Sequence, residues 1–246
     1  MADADIPDTA EVFDHFAALK SVTPEPGGLL VFYGELDRQG MAMAVAANIA
    51  GAASLGIDAD ADRAKLALRQ GFCDFVVNSL DEALRILKNE VRKKQPVAVA
   101  LVGDPESIVA EMLERGVQPD LVACGGLQSE AFIKRGSTAL PAAATIADTL
   151  VVTWSVSRDA AMWLPRVDAI AMESLENASD ARAKWIRLAP RYLQKNLARE
   201  HYVRMRSEEL LRFADLLQTR MQSGEITVPV HVASSGLPII HSPAAV

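Results

Sequence analysis

A strand, turn and helix pattern near the N-terminus has the residue types of a phosphate-bearing cofactor site. Residues 34–64 read GELDRQGMAMAVAANIAGAASLGIDADADRA, and an apolar run precedes them. Gly40 stands in the turn, where a missing side chain lets backbone N–H groups approach a pyrophosphate. Asp58 ends a second short strand about twenty residues on, where dinucleotide sites place an acid against the ribose. The pattern indicates a dinucleotide site or the scaffold of one.

The turn itself departs from a phosphate cradle. Only Gly34 and Gly40 remain as glycines, and the turn contains two carboxylates, Glu35 and Asp37. These carboxylates repel a diphosphate unless Arg38 compensates for their charge. An ordinary strand-to-helix loop is the alternative interpretation of the same residues.

Besides Gly40, the candidates for contacts with a cofactor are Asp58, Gly103 and Asp104. Asp58 is placed either to accept hydrogen bonds from a ribose diol or to cap the next helix as a solvated carboxylate. Gly103 and Asp104 follow the fourth predicted strand, and Gln128 and Ser129 follow the fifth. The crevice between those two strands is therefore the predicted polar site, although Asp104 is equally suited to be a helix N-cap.

No metal site is expected. The alternation of aspartates from Asp58 to Asp62 lacks the Gly and Glu that a calcium loop needs at its sixth and twelfth positions, where Arg63 and Arg69 stand. None of the histidines has metal-site spacing to another His or Cys. They are His15, His201, His231 and His241.

The cysteines suggest no clear nucleophile. Cys124 is predicted at the carboxyl end of the fifth strand, where a thiol could attack a ligand, but no histidine follows at a telling place. A buried structural cysteine is the favoured interpretation. Cys73 and Cys124 are far apart, and no secretory segment begins the chain, so we expect reduced thiols and a cytoplasmic protein. No catalytic residue is assigned.

Composition limits the classes of partner that the chain is expected to bind. The chain has 246 residues, of which 50% are hydrophobic, and a formal net charge of −7. It can bury a substantial core, but it lacks the basic face that a general nucleic-acid binder needs. Its apolar runs are of strand length, so no membrane span is expected.

Alternating strands and helices predict the fold. From residue 28 to about 124, apolar and β-branched runs alternate with amphipathic helices, which is typical of a doubly wound, Rossmann-like parallel sheet. DTLVVTWSV, residues 148–156, is expected to rejoin that sheet as a sixth strand. We therefore predict a docking helix and linker over 1–27 and an α/β domain over 28–156.

The remainder, 157–246, is predicted as a helical segment with a short extended tail. Pro165 and Pro190 are expected to interrupt its helices. In the α/β domain, Ser79 with Glu82 predicts a capping box, and Gly116 predicts a helix end.

Several stretches together resemble urocanase (urocanate hydratase), specifically its central NAD-binding domain. They are SLGIDADADRAKLALRQGFCD, SLDEALRILK, VAVALVGDPESIVAEMLERGVQPDLV and MQSGEITVPV. The resemblance runs from about Thr9 to Val122 and again from about Leu211 to Val230. It implies an NAD-binding Rossmann fold, a homodimer and a lyase of histidine degradation that adds water to urocanate with tightly held NAD⁺. Asp58 corresponds to the family's ribose-facing acid, and Gly40 to its surviving loop glycine.

The sequence departs from the family's pattern in the segments that carry the family's chemistry. Its loop pattern GLGGMxGAQ reads ELDRQGMAM here, its Asp-Gln-Thr-Ser segment reads CGGLQSE, and its Arg-Asp-His segment reads ASS at 233–235. The family's separate core domain has no counterpart in the sequence. We favour a non-catalytic relative that binds a small molecule, another protein or a separate subunit. The alternative is an NAD-dependent hydratase acting on urocanate or a similar small unsaturated acid.

Overall fold

A computed structural model describes residues 6–123, 127–142, 148–177, 181–193, 200–234 and 237–241. The chain forms two compact units, residues 1–145 and 146–246. The helices and strands of the first unit are α1 (Thr9–Val22), β1 (Leu30–Gly34), α2 (Arg38–Ala50), β2 (Ala53–Asp58), α3 (Ala61–Gln70), β3 (Phe75–Val77), α4 (Leu80–Lys93), β4 (Val97–Val102), α5 (Pro105–Glu114), β5 (Leu121–Ala123), α6 (Leu127–Lys134) and β6 (Thr138–Leu140). Those of the second are β7 (Leu150–Val156), α7 (Ala160–Ser174), α8 (Ala181–Tyr192), β8 (His201–Met205), α9 (Ser207–Gln222), β9 (Val230–Ser234) and β10 (Leu237–His241).

The first unit is a parallel six-stranded sheet in the order β3-β4-β2-β1-β5-β6. Its central strands are buried on both faces, as their continuous apolar sequences predict. The predicted doubly wound α/β fold is therefore confirmed. The strand order reverses between β1 and β5, and open α/β sheets bind ligands at the carboxyl edge of such a reversal.

Helix α2 is buried on all sides. Every residue from Gly40 to Ala50 is buried, since the predicted docking helix α1 packs over α2 from outside. Short side chains in MAMAVAANIA permit this close packing, and a helix that is apolar all round belongs in a core. The other predicted helix limits also hold: Ser79 is the N-cap of α4, and Gly116 follows α5 with φ +68°.

Two expectations about the sheet of the first unit are wrong. Residues 150–156 do not join the parallel sheet but form β7, which pairs antiparallel with β8 and β9. The sixth parallel strand is β6, whose three residues are too few to show a period. The crevice between β4 and β5 does not exist, because β2 and β1 lie between those strands.

The second unit is an antiparallel sheet, ordered β10-β9-β7-β8, with helices α7, α8 and α9. Residues 201–205, expected to be helical, form its strand β8. Pro165 and Pro190 lie inside α7 and α8 and do not interrupt them, since packing of a buried helix face can outweigh the unfavourable propensity of proline. The core is built around the fully buried rings of Trp154, Trp185 and Phe213.

A buried ion pair connects α8, β8 and α9 in the second unit. Arg182 donates to both carboxylate oxygens of Glu209, at 2.6 and 2.8 Å, and to the carbonyl of Arg204 at 3.0 Å. Glu209 is 0% exposed and also accepts from the backbone N–H groups of Arg206 and Glu176. Burial raises the pKa of Glu209, but Arg182 and these N–H groups outweigh burial and hold the pKa below its ordinary value.

Glu209→Gln is expected to destabilise the second unit by about 3 kcal/mol, because it leaves the Arg182 guanidinium buried without a counter-charge. All three tryptophans lie in this unit. Urea unfolding followed by tryptophan fluorescence therefore reports on this unit. Glu225→Gln, at the exposed ion pair with Arg220, is the matched control and should unfold close to wild type. Equal midpoints for the two variants would contradict the structural role of Glu209.

Candidate functional site

The turn between β1 and α2 closes on itself. Asp37 is the N-cap of α2, and its Oδ1 accepts from the backbone N–H of Gly40 at 2.8 Å. A helix N-terminus attracts anions because its first N–H groups lack partners within the helix. Here the Asp37 carboxylate of the chain itself accepts a hydrogen bond from one of those N–H groups. The turn thus carries its own anion at the place where a phosphate would bind.

Gly40 is required by the chain's own packing. A Cβ atom at Gly40 would lie 1.9 Å from the carbonyl oxygen of Glu35 and 3.2 Å from a ring carbon of Tyr33. The space that a glycine leaves for a ligand in a phosphate cradle is therefore filled by the preceding turn. The glycine is explained without a cofactor.

Tyr33 fills the interior next to this turn. It lies at the irregularity in the β1–β2 register between Phe32 and Gly34, and its ring covers Gly56 of β2 so closely that a Cβ there would lie 2.2 Å from Cε2. Its hydroxyl is buried and has no hydrogen-bond partner among the described residues. Burial, with the neighbouring Cys73, Asp74 and Asp58, raises the pKa of Tyr33 well above its ordinary value.

Tyr33 was not singled out by sequence reasoning, although a signal for it exists. Gly56 is a glycine within the fully buried strand β2, and such a glycine often marks a close approach by another group. The approaching group is the Tyr33 ring. A neutral phenol packed between β2 and the first turn of α2 adds volume where a cofactor site needs space.

Asp58 is buried and fully engaged. The residue is 3% exposed, and its Oδ1 accepts from the backbone N–H of Asp60 at 2.8 Å. Its Oδ2 accepts from the backbone N–H of Leu36 at 3.2 Å and lies 3.3 Å from Nη1 of Arg63. These contacts hold the β1–α2 turn and the start of α3 to the end of β2. That Asp58 contacts a ribose stays a prediction, and the helix cap on α3 is supplied by Asp60 instead.

Arg38 is not free to neutralise the acids of the turn. Its guanidinium faces Glu11 of α1, with Nε donating at 2.8 and 2.9 Å and Nη2 at 2.7 Å, and it also lies 3.5 Å from Asp8. Burial raises the pKa of Glu11, but Arg38 and the backbone N–H of Asp8 hold it below its ordinary value. The positive charge of Arg38, which a bound diphosphate would need, is thus already paired with an acid of α1.

A second contact holds α1 over the same turn. Nε2 of His15 lies 2.9 Å from Oε1 of Gln39, and the Gln39 amide donates to Glu11 at 3.1 Å. Burial lowers the pKa of His15, so its neutral form predominates at neutral pH. The α1 helix therefore covers the first turn of α2 with polar contacts as well as apolar ones.

Gly103 and Asp104 have structural partners at the same edge. The backbone N–H of Gly103 donates to the carbonyl of Asp58 at 3.0 Å, which places the two residues side by side. Asp104 is the N-cap of α5 and accepts from the N–H and hydroxyl of Ser107 at 2.9 and 2.6 Å, which lowers its pKa. Asp58, Gly103 and Leu36 are thus brought together, whereas the Asp104 carboxylate turns toward its own helix.

The remaining polar candidates are described in part. Ser129 is buried and donates to the carbonyl of Ala123 at 3.1 Å. Cys124 and the Gln128 side chain lie outside what the structure describes. Cys73 is buried, and desolvation together with Asp74 raises its pKa to about 12, so it is an unreactive thiol at neutral pH.

Two kinds of feature are absent from the described ranges, a cluster of metal ligands and a helix able to cross a membrane. No three His, Cys, Asp or Glu side chains there lie close enough to hold a metal ion. None of the helices in these ranges is both long enough and apolar enough to cross a membrane.

Asp58→Asn is expected to destabilise the first unit by about 1–3 kcal/mol, because the amide NH₂ replaces an oxygen that accepts from a backbone N–H. Faster hydrogen exchange should appear in peptides containing Leu36 and Asp60, measured by mass spectrometry. Asp62→Asn removes the same charge from a side chain that is 90% exposed, and it should leave exchange unchanged. Wild-type exchange in the Asp58 variant would show that the carboxylate does not hold the turn.

The comparison with known families agrees with the Rossmann-like fold of the first unit. Residues 8–125 match the family model described as the urocanase Rossmann-like domain. The matched segment begins at the cap of α1 and extends just beyond β5, so it contains the β1–α2 turn, Asp58 and Gly103. Residues 8–125 are a Rossmann-like domain of the urocanase family.

Proposed function

We propose that this protein is a catalytically diverged urocanase-type scaffold whose first βα turn no longer holds the pyrophosphate of NAD. The observation that carries the proposal is the capture of the turn by the chain's own carboxylates. Asp37 accepts from the N–H of Gly40, and Asp58 accepts from the N–H of Leu36. Two N–H groups that would face a pyrophosphate, and the acid that would face a ribose, are therefore engaged in hydrogen bonds within the chain.

Charge and space support the same proposal. Glu35, Asp37 and Asp58 place three carboxylates around the turn, while the nearest guanidinium within it, Arg38, is paired with Glu11. Arg63 offsets the charge of Asp58, but a diphosphate at this position would still face the carboxylates of Glu35 and Asp37 and the carbonyl oxygen of Glu35 beside Gly40. The residues of the turn thus do not fit the pyrophosphate.

The second candidate is an NAD-dependent hydro-lyase acting on urocanate or a similar small unsaturated acid. The family match favours it, because this domain is of the NAD-binding type in the urocanase family. It requires the turn to open, with Asp58 released from Leu36 and Arg38 released from Glu11. Both releases break charged hydrogen bonds in partly or fully buried surroundings, which opposes binding.

The expected assembly follows from the resemblance. We propose a cytoplasmic homodimer whose working ligand is a small molecule or a separate subunit. A scaffold that has exchanged phosphate-binding groups for internal contacts keeps its sheet as a stable platform for such a partner. Nucleic acid is not among the proposed partners, given the net charge of −7.

Purified protein is expected to carry no NAD and to bind added NAD⁺ more weakly than about 1 mM in a calorimetric titration. Urocanate should not be consumed, as followed by its ultraviolet absorbance. The double variant Glu35→Gly/Asp37→Gly removes two charges and restores two glycines, so it should bind NAD⁺ more tightly than wild type. Co-purified NAD or saturable binding of NAD⁺ by the wild-type protein would contradict the proposal, and turnover of urocanate in addition would establish the hydro-lyase.

A further inference from the structure

An open groove of about 1090 Å³ lies at the edge of the sheet in the first unit, away from the carboxyl ends of β1 and β2. Phe75, at the start of the edge strand β3, borders it with 46% of its surface exposed. Pro96 and Val97 border it from the start of β4, and Ile86 borders it from α4. The groove therefore has an apolar border formed at the amino ends of two neighbouring strands.

Cations line the helix side of the groove. Arg85, Lys88 and Arg92 occupy positions i, i+3 and i+7 of α4, which places them along one face. Neither Arg85 nor Lys88 has an ion-pair or hydrogen-bond partner among the described residues, and both are exposed. Asp81, one turn before Arg85, is instead paired with Arg115.

The acids of the groove are engaged elsewhere. Glu90 pairs with Lys93 at 3.0 Å, and Asp74 accepts from the N–H of Ala98 and the amide of Asn48 at 2.7 and 3.0 Å. The lining thus has three cations, Arg85, Lys88 and Arg92, against the two acids Asp74 and Glu90, and Glu90 is paired with Lys93, so the groove is locally positive on a chain whose net charge is −7. Such local charge reversal selects a negatively charged occupant.

Helix stability does not account for all of these cations. Arg92 and Lys93 lie in the last turn of α4, where cations stabilise the helix dipole. Arg85 and Lys88 lie earlier in the helix, where this effect has faded. Their exposure beside an exposed aromatic ring is more typical of a binding surface than of a solvated helix face.

We propose that this groove, bordered by β3 and α4, is a docking site for an acidic, extended peptide segment of a partner protein. Phe75 and Ile86 contact an apolar side chain of the segment, and Arg85 and Lys88 contact its carboxylates. Strand β3 is at the end of the sheet, and no strand pairs with its outer side in the described part of the chain. An unpaired strand edge of this kind can hydrogen-bond an extended segment laid beside it.

The probe for the test is a fluorescein-labelled peptide, EVEFEVE, titrated with the full chain and followed by fluorescence anisotropy at about 0.15 M salt. Arg85→Glu/Lys88→Glu should weaken its binding by about tenfold or more, because both contacts become repulsive. Phe75→Ala should also weaken binding, and this loss of affinity should change less with salt concentration than the loss caused by the charge reversal. The control Lys65→Glu/Arg69→Glu makes the same charge change on α3 and should bind like wild type.

Circular dichroism will show whether each variant is folded, and Arg85→Gln/Lys88→Gln gives a milder change if the charge reversal unfolds the chain. The proposal is overturned if wild-type protein does not bind EVEFEVE, if KVKFKVK binds equally well, or if the α3 control loses as much affinity as the groove variant. Self-association in sedimentation that the groove variant abolishes would assign the surface to a second copy and also overturn it. None of these results depends on whether NAD⁺ binds.

Discussion

The carboxylate and carbonyl groups of Asp58 form the junction on which the carboxyl edge of the sheet depends. The carboxylate accepts from the turn after β1 and from the turn after β2, and the carbonyl accepts from Gly103 after β4. A buried carboxylate is stable only with such partners, so its burial requires the turns to lie where they do. In a dinucleotide site the acid at this position faces a ribose. Here it faces its own chain.

The other departures around the turn are consistent with that constraint. Once the turn lies close enough for Leu36 to donate to Asp58, the carbonyl of Glu35 reaches the surface of Gly40, and only glycine fits. Tyr33 then occupies the remaining space against Gly56. Arg38, directed away from the turn, holds α1 through Glu11. The same residues that suggest a cofactor site in sequence thus form a closed, internally bonded turn in structure.

Much of the first unit could be predicted from the sequence, because its central strands β1, β2 and β4 are buried runs of five or six residues and its helices begin and end at capping residues. The alternation of strands and helices, the Ser79 cap and the Gly116 helix end are all local patterns. The strand order is not local, and the crevice predicted between β4 and β5 failed for that reason. In the second unit, β8 and the prolines inside α7 and α8 depend on packing around Trp154 and Trp185, which sequence periodicity does not show. The sequence points to Gly40 and Asp58, and Gly56 signals a close approach within β2, but the identity of the contacting groups, the Glu35 carbonyl, the Tyr33 ring and the Leu36 N–H, follows only from the folded turn.

The most direct test is a ¹H–¹⁵N correlation spectrum of the backbone amides of Leu36 and Gly40 during titration with NAD⁺. These two N–H groups are the ones that a pyrophosphate would have to take from Asp58 and Asp37. If the turn is closed by its own carboxylates, both signals keep their positions as NAD⁺ is added. Saturable shifts of both amides would show that the dinucleotide displaces the carboxylates and would contradict a diverged, self-capped scaffold.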